Sequence, residues 1–231
     1  MDTVILFVTG TDTDVGKTFV CGLLARGLAA GGLRVAVQKW VSTGGTVPAD
    51  VAAAARAAGL PEPGAGSDAA PCVFSLPASP HLAAEAEGRA IDPGRLLEAT
   101  RRLSARADVV ILEGVGGALV PLTRSLLLAD LAAELAPTTL VVARSGLGTL
   151  NHSLLTLEAL ARRGIPVAGL ILNDQGGEDP VVSADNRRTL AALGGVAVFG
   201  PIPRVARPEA AATAAAPLVR AVRDLVEAER A

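Results

Sequence analysis

The stretch Thr9-Gly10-Thr11-Asp12-Thr13-Asp14-Val15-Gly16-Lys17-Thr18 decides how this chain is read. The apolar run before it, Val4-Ile5-Leu6-Phe7-Val8, predicts a short buried strand. The residues after it, Phe19 to about Ala30, predict a helix packed on that strand. Strand, glycine-bearing loop, Gly-Lys-Thr and helix together form the context that a phosphate-binding P-loop requires. Backbone N–H groups at such a helix start attract phosphate oxygens. Lys17 adds a mobile charge for the β and γ oxygens, and Thr18 a hydroxyl for Mg²⁺. The spacing departs from the common motif, because five residues separate Gly10 from Gly16, one more than usual. Asp12 and Asp14 are also unexpected in a loop meant for a polyanion.

Working outward, 231 residues favour one α/β domain spanning 1–231. Aromatic residues make up only 2%, so the core must be built from Ala, Val, Leu and Ile. A net charge of −2 with no Lys/Arg run argues against a nucleic-acid partner or a membrane surface. Met1-Asp2 lacks a positive n-region, and no stretch is apolar for long enough to span a bilayer. The expectation is a soluble, cytoplasmic protein. Cys21 and Cys72 have no metal or disulfide spacing and are expected to be buried thiols. His81 and His152 are too far apart for a local metal motif. Among 21 Lys+Arg, only Lys17 and Lys39 are lysine. An ammonium fits between phosphate oxygens where a planar guanidinium does not, so Lys39 draws the same suspicion as Lys17.

Strands are expected at 34–41, 109–112, 138–143, 166–172 and 196–199, with a short extended piece at 72–76. Helices are expected at 50–58, from Pro80 to near Gly88, from Pro93 to about Ala105 capped by Asp92, from Asn151 through Arg163, and at about 183–193. Residues 61–71 read as a loop, 210–216 as low-complexity alanine, and 217–231 as a docking helix. Strands alternating with helices predict a doubly wound, mostly parallel sheet with helices on both faces, P-loop NTPase-like. Ligands of such sheets sit beyond the strands' carboxyl ends. Thr9-Gly10, Lys39, Glu113, Ser145 and Asn173 all fall there, predicting one composite site.

These pieces resemble the dethiobiotin synthetases, members of the deviant P-loop ATPases. The likeness rests on Gly-Thr-Asp-Thr-Asp-Val-Gly-Lys-Thr (10–18), Lys39 with Thr43-Gly44, and Ser79-Pro80-His81. It continues through Glu113-Gly114-Val115-Gly116-Gly117, Gly148-Thr149-Leu150-Asn151-His152, Asn173-Asp174 and Pro201-Ile202-Pro203. The resemblance implies ATP-dependent closure of 7,8-diaminononanoate and CO₂ into dethiobiotin, with ADP and phosphate released. It implies ATP contacts at Asp14, Val15, Gly16, Lys17, Thr18, Phe19, Glu113, Gly114, Val115 and Gly116, with adenine at Asn173, Asp174, Pro203, Arg204 and Val205. Lys39, Lys17 and Thr13 are its implied catalytic residues, and Thr18, Asp50 and Glu113 its Mg²⁺ ligands. Thr43, Leu147, Gly148, Thr149, Leu150 and Asn151 are implied substrate contacts, the last five from the partner of a homodimer. Two positions depart from the pattern: Trp40 replaces the proline after the second lysine, and Asn186 stands where some relatives place a tyrosine. The competing readings are a related P-loop ATPase with another substrate, and an ATP-driven positioning switch. The switch proteins carry a lysine where this chain has Asp12.

Overall fold

Val4–Gly10 forms strand β1, and every residue of it but Ile5 is buried. Leu6 and Val8 enter one core and Phe7 another, as side-chain alternation requires of a strand covered on both faces. The structure, a computed structural model, describes residues 3–205 and 208–230. Met1, Asp2 and Ala231, included in the sequence reading, lie outside them. β1 pairs in parallel with β5 (Val109–Glu113) on one side and β6 (Thr138–Arg144) on the other. With β2 (Val35–Lys39), β7 (Val167–Asn173) and β8 (Val198–Ile202), the order is β2-β5-β1-β6-β7-β8. The chain first winds toward β2, then back through β5, and then outward on the far side of β1. β1 therefore stands where the winding reverses, and ligands favour that place.

Helices α1 (Lys17–Ala30), α2 (Ala49–Ala57) and α8 (Ala212–Arg230) cover one face. On the other face, α3 (Pro80–Ala86), α4 (Pro93–Ser104) and α5 (Leu128–Ala133) pack beside α6 (Thr149–Ala161) and α7 (Pro180–Leu193). Small residues allow α8 to lie close on α1: a Cβ at Gly27 would meet Val219 Cγ1 at 2.4 Å. The alanine-rich stretch is ordered here, as a 3₁₀ turn Pro208–Ala211 and the start of α8. Alanine's helix propensity explains the element, and Ala211 and Ala215 are buried in the core.

Four sequence expectations need correction. The strand expected over 34–41 breaks after Lys39, and β3 (Val41–Thr43) pairs with β4 (Cys72–Phe74) in a separate two-stranded parallel sheet. Residues 34–41 contain no Gly or Pro to mark a break, so the sequence does not reveal the change of sheet. Helix α7 starts three residues early because Asp179 caps it, accepting from Val181 N and Val182 N at 2.7 and 3.3 Å. The spacing of Leu154, Leu157, Leu160 and Ala161 predicts the buried stripe of α6, but Ala161 faces out and the stripe holds Ser153 instead. Cys21 is buried, and burial pushes its thiol well up, but Cys72 is only half-buried.

An ionic clamp ties the start of β2 and the C-terminal helix to the residue that precedes β5. Asp108 accepts from Arg34 N (2.8 Å), Arg34 Nη2 (2.7 Å) and Arg230 Nη2 (2.7 Å). The Arg34 side chain, then its backbone N–H, holds this carboxyl well below the usual carboxylate range. A depressed folded pKa stabilises above the unfolded value of about 4 and is lost as pH falls through the folded one. Asp108→Asn should therefore lower Tm by a few degrees at neutral pH. The gap from wild type should close as pH drops below about 4 in parallel melts; a gap independent of pH would refute the ionic origin.

Candidate active site

Gly16 caps α1 with φ +98°, a left-handed conformation that favours glycine. A Cβ there would also strike Asn173 Nδ2 at 2.1 Å, so the loop and the end of β7 approach as closely as backbone permits. Asn173 Nδ2 donates to Val15 O at 3.0 Å and fixes that approach. The first turn of α1 then delivers Lys17 and Thr18. Lys17 Nζ donates to Asp12 O at 2.9 Å.

The second lysine arrives through the sheet. Lys39 ends β2 directly across from Glu113 at the end of β5. Lys39 Nζ donates to Glu113 Oε1 at 2.7 Å and also contacts Asp50 Oδ2 from the first turn of α2. Thr18 Oγ1 donates to the same Glu113 oxygen at 2.8 Å. Lys17, Lys39 and Glu113 are 6%, 5% and 3% exposed. Burial, then the nearby Lys39 ammonium, pulls the Lys17 pKa down. Burial acts on Lys39 too, but the Glu113 and Asp50 carboxylates outweigh it and raise its pKa. Two ammoniums and two carboxylates thus share one low-dielectric wall, where each charge acts strongly on the others.

They open on a cleft of about 630 Å³, lined also by Thr13, Asp14, Gly16, Thr18, Phe19, Thr43, Asp50, Val115 and Gly116. A side pocket of about 230 Å³ shares Asp14, Gly16 and Phe19 and is lined by Asn173, Asp174, Gln175, Arg204 and Val205. The sequence reading missed Gln175, whose only signal was its place after Asn173-Asp174. It also missed Arg144, whose guanidinium reaches Asp12 at 3.0 Å.

Not every expected residue lines these spaces. Val15 is buried beneath the loop, and Gly114 and Pro203 line neither pocket. Leu147, Gly148, Thr149, Leu150 and Asn151 lie outside the cleft of their own chain. Leu147 is 90% exposed, Gly148 caps α6, and Thr149 Oγ1 is buried 3.3 Å from Ser153 Oγ. Ser145 is buried, and its carbonyl and that of Gly146 accept from Asn186 Nδ2 at 2.9 and 3.1 Å. Asn186 therefore pins the loop before α6 and offers no free amide N–H in that direction. Trp40 is 1% exposed and belongs to the core, donating from Nε1 to Thr100 Oγ1 at 2.8 Å.

For a metal, the described residues hold no cluster of three or more His, Cys, Asp or Glu side chains. A Mg²⁺ that keeps water and phosphate needs only one or two carboxylates. Glu113 Oε2 is buried without a hydrogen-bond partner, Asp50 is about half-exposed at the cleft wall, and Thr18 stands between loop and Glu113. That donor set fits Mg²⁺.

A family model described as an AAA domain matches residues 5–211. The ATP-dependent dethiobiotin synthetase BioD of Anaeromyxobacter dehalogenans is 49% identical over 176 residues, 75% of this chain and 78% of that one. The protein of the same name from Chlorobaculum tepidum is 44% identical over 81% of this chain and 80% of its own. Among solved structures, the cell division ATPase MinD of Pyrococcus furiosus has a TM-score of 0.56 at 19% identity, covering 97% of this chain and all of that one. A DUF1611 family protein from Anabaena variabilis reaches a TM-score of 0.57 at 16% identity, covering 97% of this chain and 58% of that one. Those two likenesses concern the fold alone. At 44–49% identity over most of both sequences, the chain belongs to the ATP-dependent dethiobiotin synthetase family.

Proposed function

We propose that this cleft joins CO₂ to 7,8-diaminononanoate and closes the cyclic urea of dethiobiotin, a step of biotin biosynthesis, with ATP as co-substrate. The observation that carries the reading is the convergence of the only two lysines, one from the first turn of α1 and one from the end of β2, on one buried wall with Glu113. Family membership supports the ligase activity and its use of ATP.

One substrate amine adds to CO₂ and gives up a proton, forming a carbamate. A carbamate oxygen attacks the γ-phosphorus, and ADP leaves. The second amine attacks the carbonyl carbon, loses a proton and expels phosphate, which closes the ring. Phosphoryl transfer of this kind depends on positioning and charge neutralisation. Lys17 and the loop N–H groups hold the phosphates. Lys39 offers its ammonium to the carbamate and the transferring phosphoryl group, beside the hydroxyls of Thr13 and Thr43. Asn173, Asp174, Arg204 and Val205 receive the base in the side pocket. Thr18, Glu113 and Asp50 hold Mg²⁺, whose contribution is to offset phosphate charge.

The same reading makes the enzyme a cytoplasmic, single-domain protein acting as a homodimer. Among the described residues no helix is long and apolar enough to cross a membrane. The dimer is argued from the loop at Leu147: its side chain faces out, away from its own cleft, and suits contact with a second copy's substrate tail. Asp12 in the place of a switch lysine, and Trp40 in the core instead of the pocket wall, leave little support for a positioning switch or an altered substrate. Phosphate release from ATP tests the reading. It should require diamine and bicarbonate together and yield dethiobiotin by mass; release indifferent to the diamine would reject it.

A further inference from the structure

Asp12 puts a carboxylate on a loop that must receive a polyphosphate. Unbalanced, it would repel the ligand. The fold answers it from the neighbouring strand. β6 lies beside β1, where Thr11 N donates to Val142 O at 2.9 Å, and Arg144 follows two residues later. Arg144 Nη2 is 3.0 Å from Asp12 Oδ2. Asp12 also touches two groups of the site: its Oδ1 accepts from Thr13 N at 2.7 Å, and its carbonyl from Lys17 Nζ at 2.9 Å. One aspartate thus connects Arg144 to both Thr13 and Lys17.

We propose that Arg144 is a positioning residue for ATP, which acts through Asp12: by holding the Asp12 carboxylate it keeps the Thr13–Lys17 segment ready for phosphate. The proposal rests on the cleft being the ATP site. As a stability device the pair counts for little: its side chains are 39% and 50% exposed, and such pairs are weak and screened by salt. Its effect belongs in nucleotide affinity instead.

The test compares ATP binding by calorimetry, without diamine, for wild type, Arg144→Ala, Arg144→Lys, Asp12→Asn and the Asp12→Asn/Arg144→Ala double variant. Arg144→Ala should weaken ATP binding about tenfold, because the Asp12 carboxylate is no longer held in place beside Thr13 N, with an unchanged melting temperature. Arg144→Lys should recover most of that loss. In the Asp12→Asn background, removing Arg144 should change affinity by less than about twofold, because its partner charge is gone. In steady state, the KM for ATP should rise while kcat stays within about twofold. Equal binding by Arg144→Ala overturns the proposal. So does the same loss in the Asp12→Asn background, which would mean a direct phosphate contact, or a loss that lysine fails to repair. If these binding results hold but no dethiobiotin forms, the assigned reaction is at fault and Arg144's role stands.

Discussion

Lys39→Gln should lower kcat by about 10²–10³, the usual cost of removing one well-aimed charge donor from a transition state. ATP binding should survive, because the phosphate loop and Lys17 are intact. The physical reason lies in the wall that holds Lys39. Its ammonium is buried and kept charged by Glu113 and Asp50, so glutamine replaces a fixed cation with a dipole. The variant also leaves Glu113 buried with only the Thr18 hydroxyl opposite its Oε1. Metal-free Lys39→Gln should therefore melt lower than wild type and regain stability when Mg²⁺ and ATP are added. Lys17→Gln provides the contrast, since ATP affinity itself should fall there. Steady-state rates with diamine and bicarbonate, together with ATP titration calorimetry, separate the two. Wild-type turnover by Lys39→Gln would remove the chemistry from this residue.

Trp40→Ala should destabilise the fold by about 3–5 kcal/mol, the range for deleting a large buried aromatic side chain. Trp40 heads the fully buried side chains and packs with Phe7, Phe74 and Leu96. It also closes a buried polar chain. Trp40 Nε1 donates to Thr100 Oγ1 at 2.8 Å, Thr100 Oγ1 donates to Gln38 Oε1 at 2.7 Å, and Gln38 Nε2 donates to Asp68 O at 2.8 Å. Truncation thus leaves a cavity and withdraws a donor, and the two costs add. Trp40→Phe should cost less, since much of the volume remains. Urea denaturation followed by circular dichroism is the measurement, because Trp40 is the only tryptophan and its own fluorescence disappears. A loss below about 1 kcal/mol would fit a surface position and return Trp40 to the pocket wall.

Much of this was legible in the sequence, for identifiable reasons. A buried parallel strand is a nearly continuous apolar run, so 4–8 and 109–112 announced themselves, and the loop after each carried the chemistry. The scarcity of lysine marked Lys39 without any geometry. Strand register was not legible: that Lys39 faces Glu113 depends on β2 pairing with β5 across 74 residues of chain. The departure of Trp40 from the sheet was hidden for a similar reason, because the β-branched Val41 and Thr43 suit a strand whichever partner it pairs with. Arg144 escaped notice because arginine is the ordinary surface cation of this chain, and only its distance to Asp12 distinguishes it.

With Lys17 and Lys39 both sunk in the cleft, the exterior displays no side-chain amine. Acylating reagents that decorate most proteins at random would find on this one only two side-chain amines, both lining the same cleft. Both amines are buried, so labelling should be slow, and slower at Lys39, held charged by Glu113 and Asp50, than at Lys17.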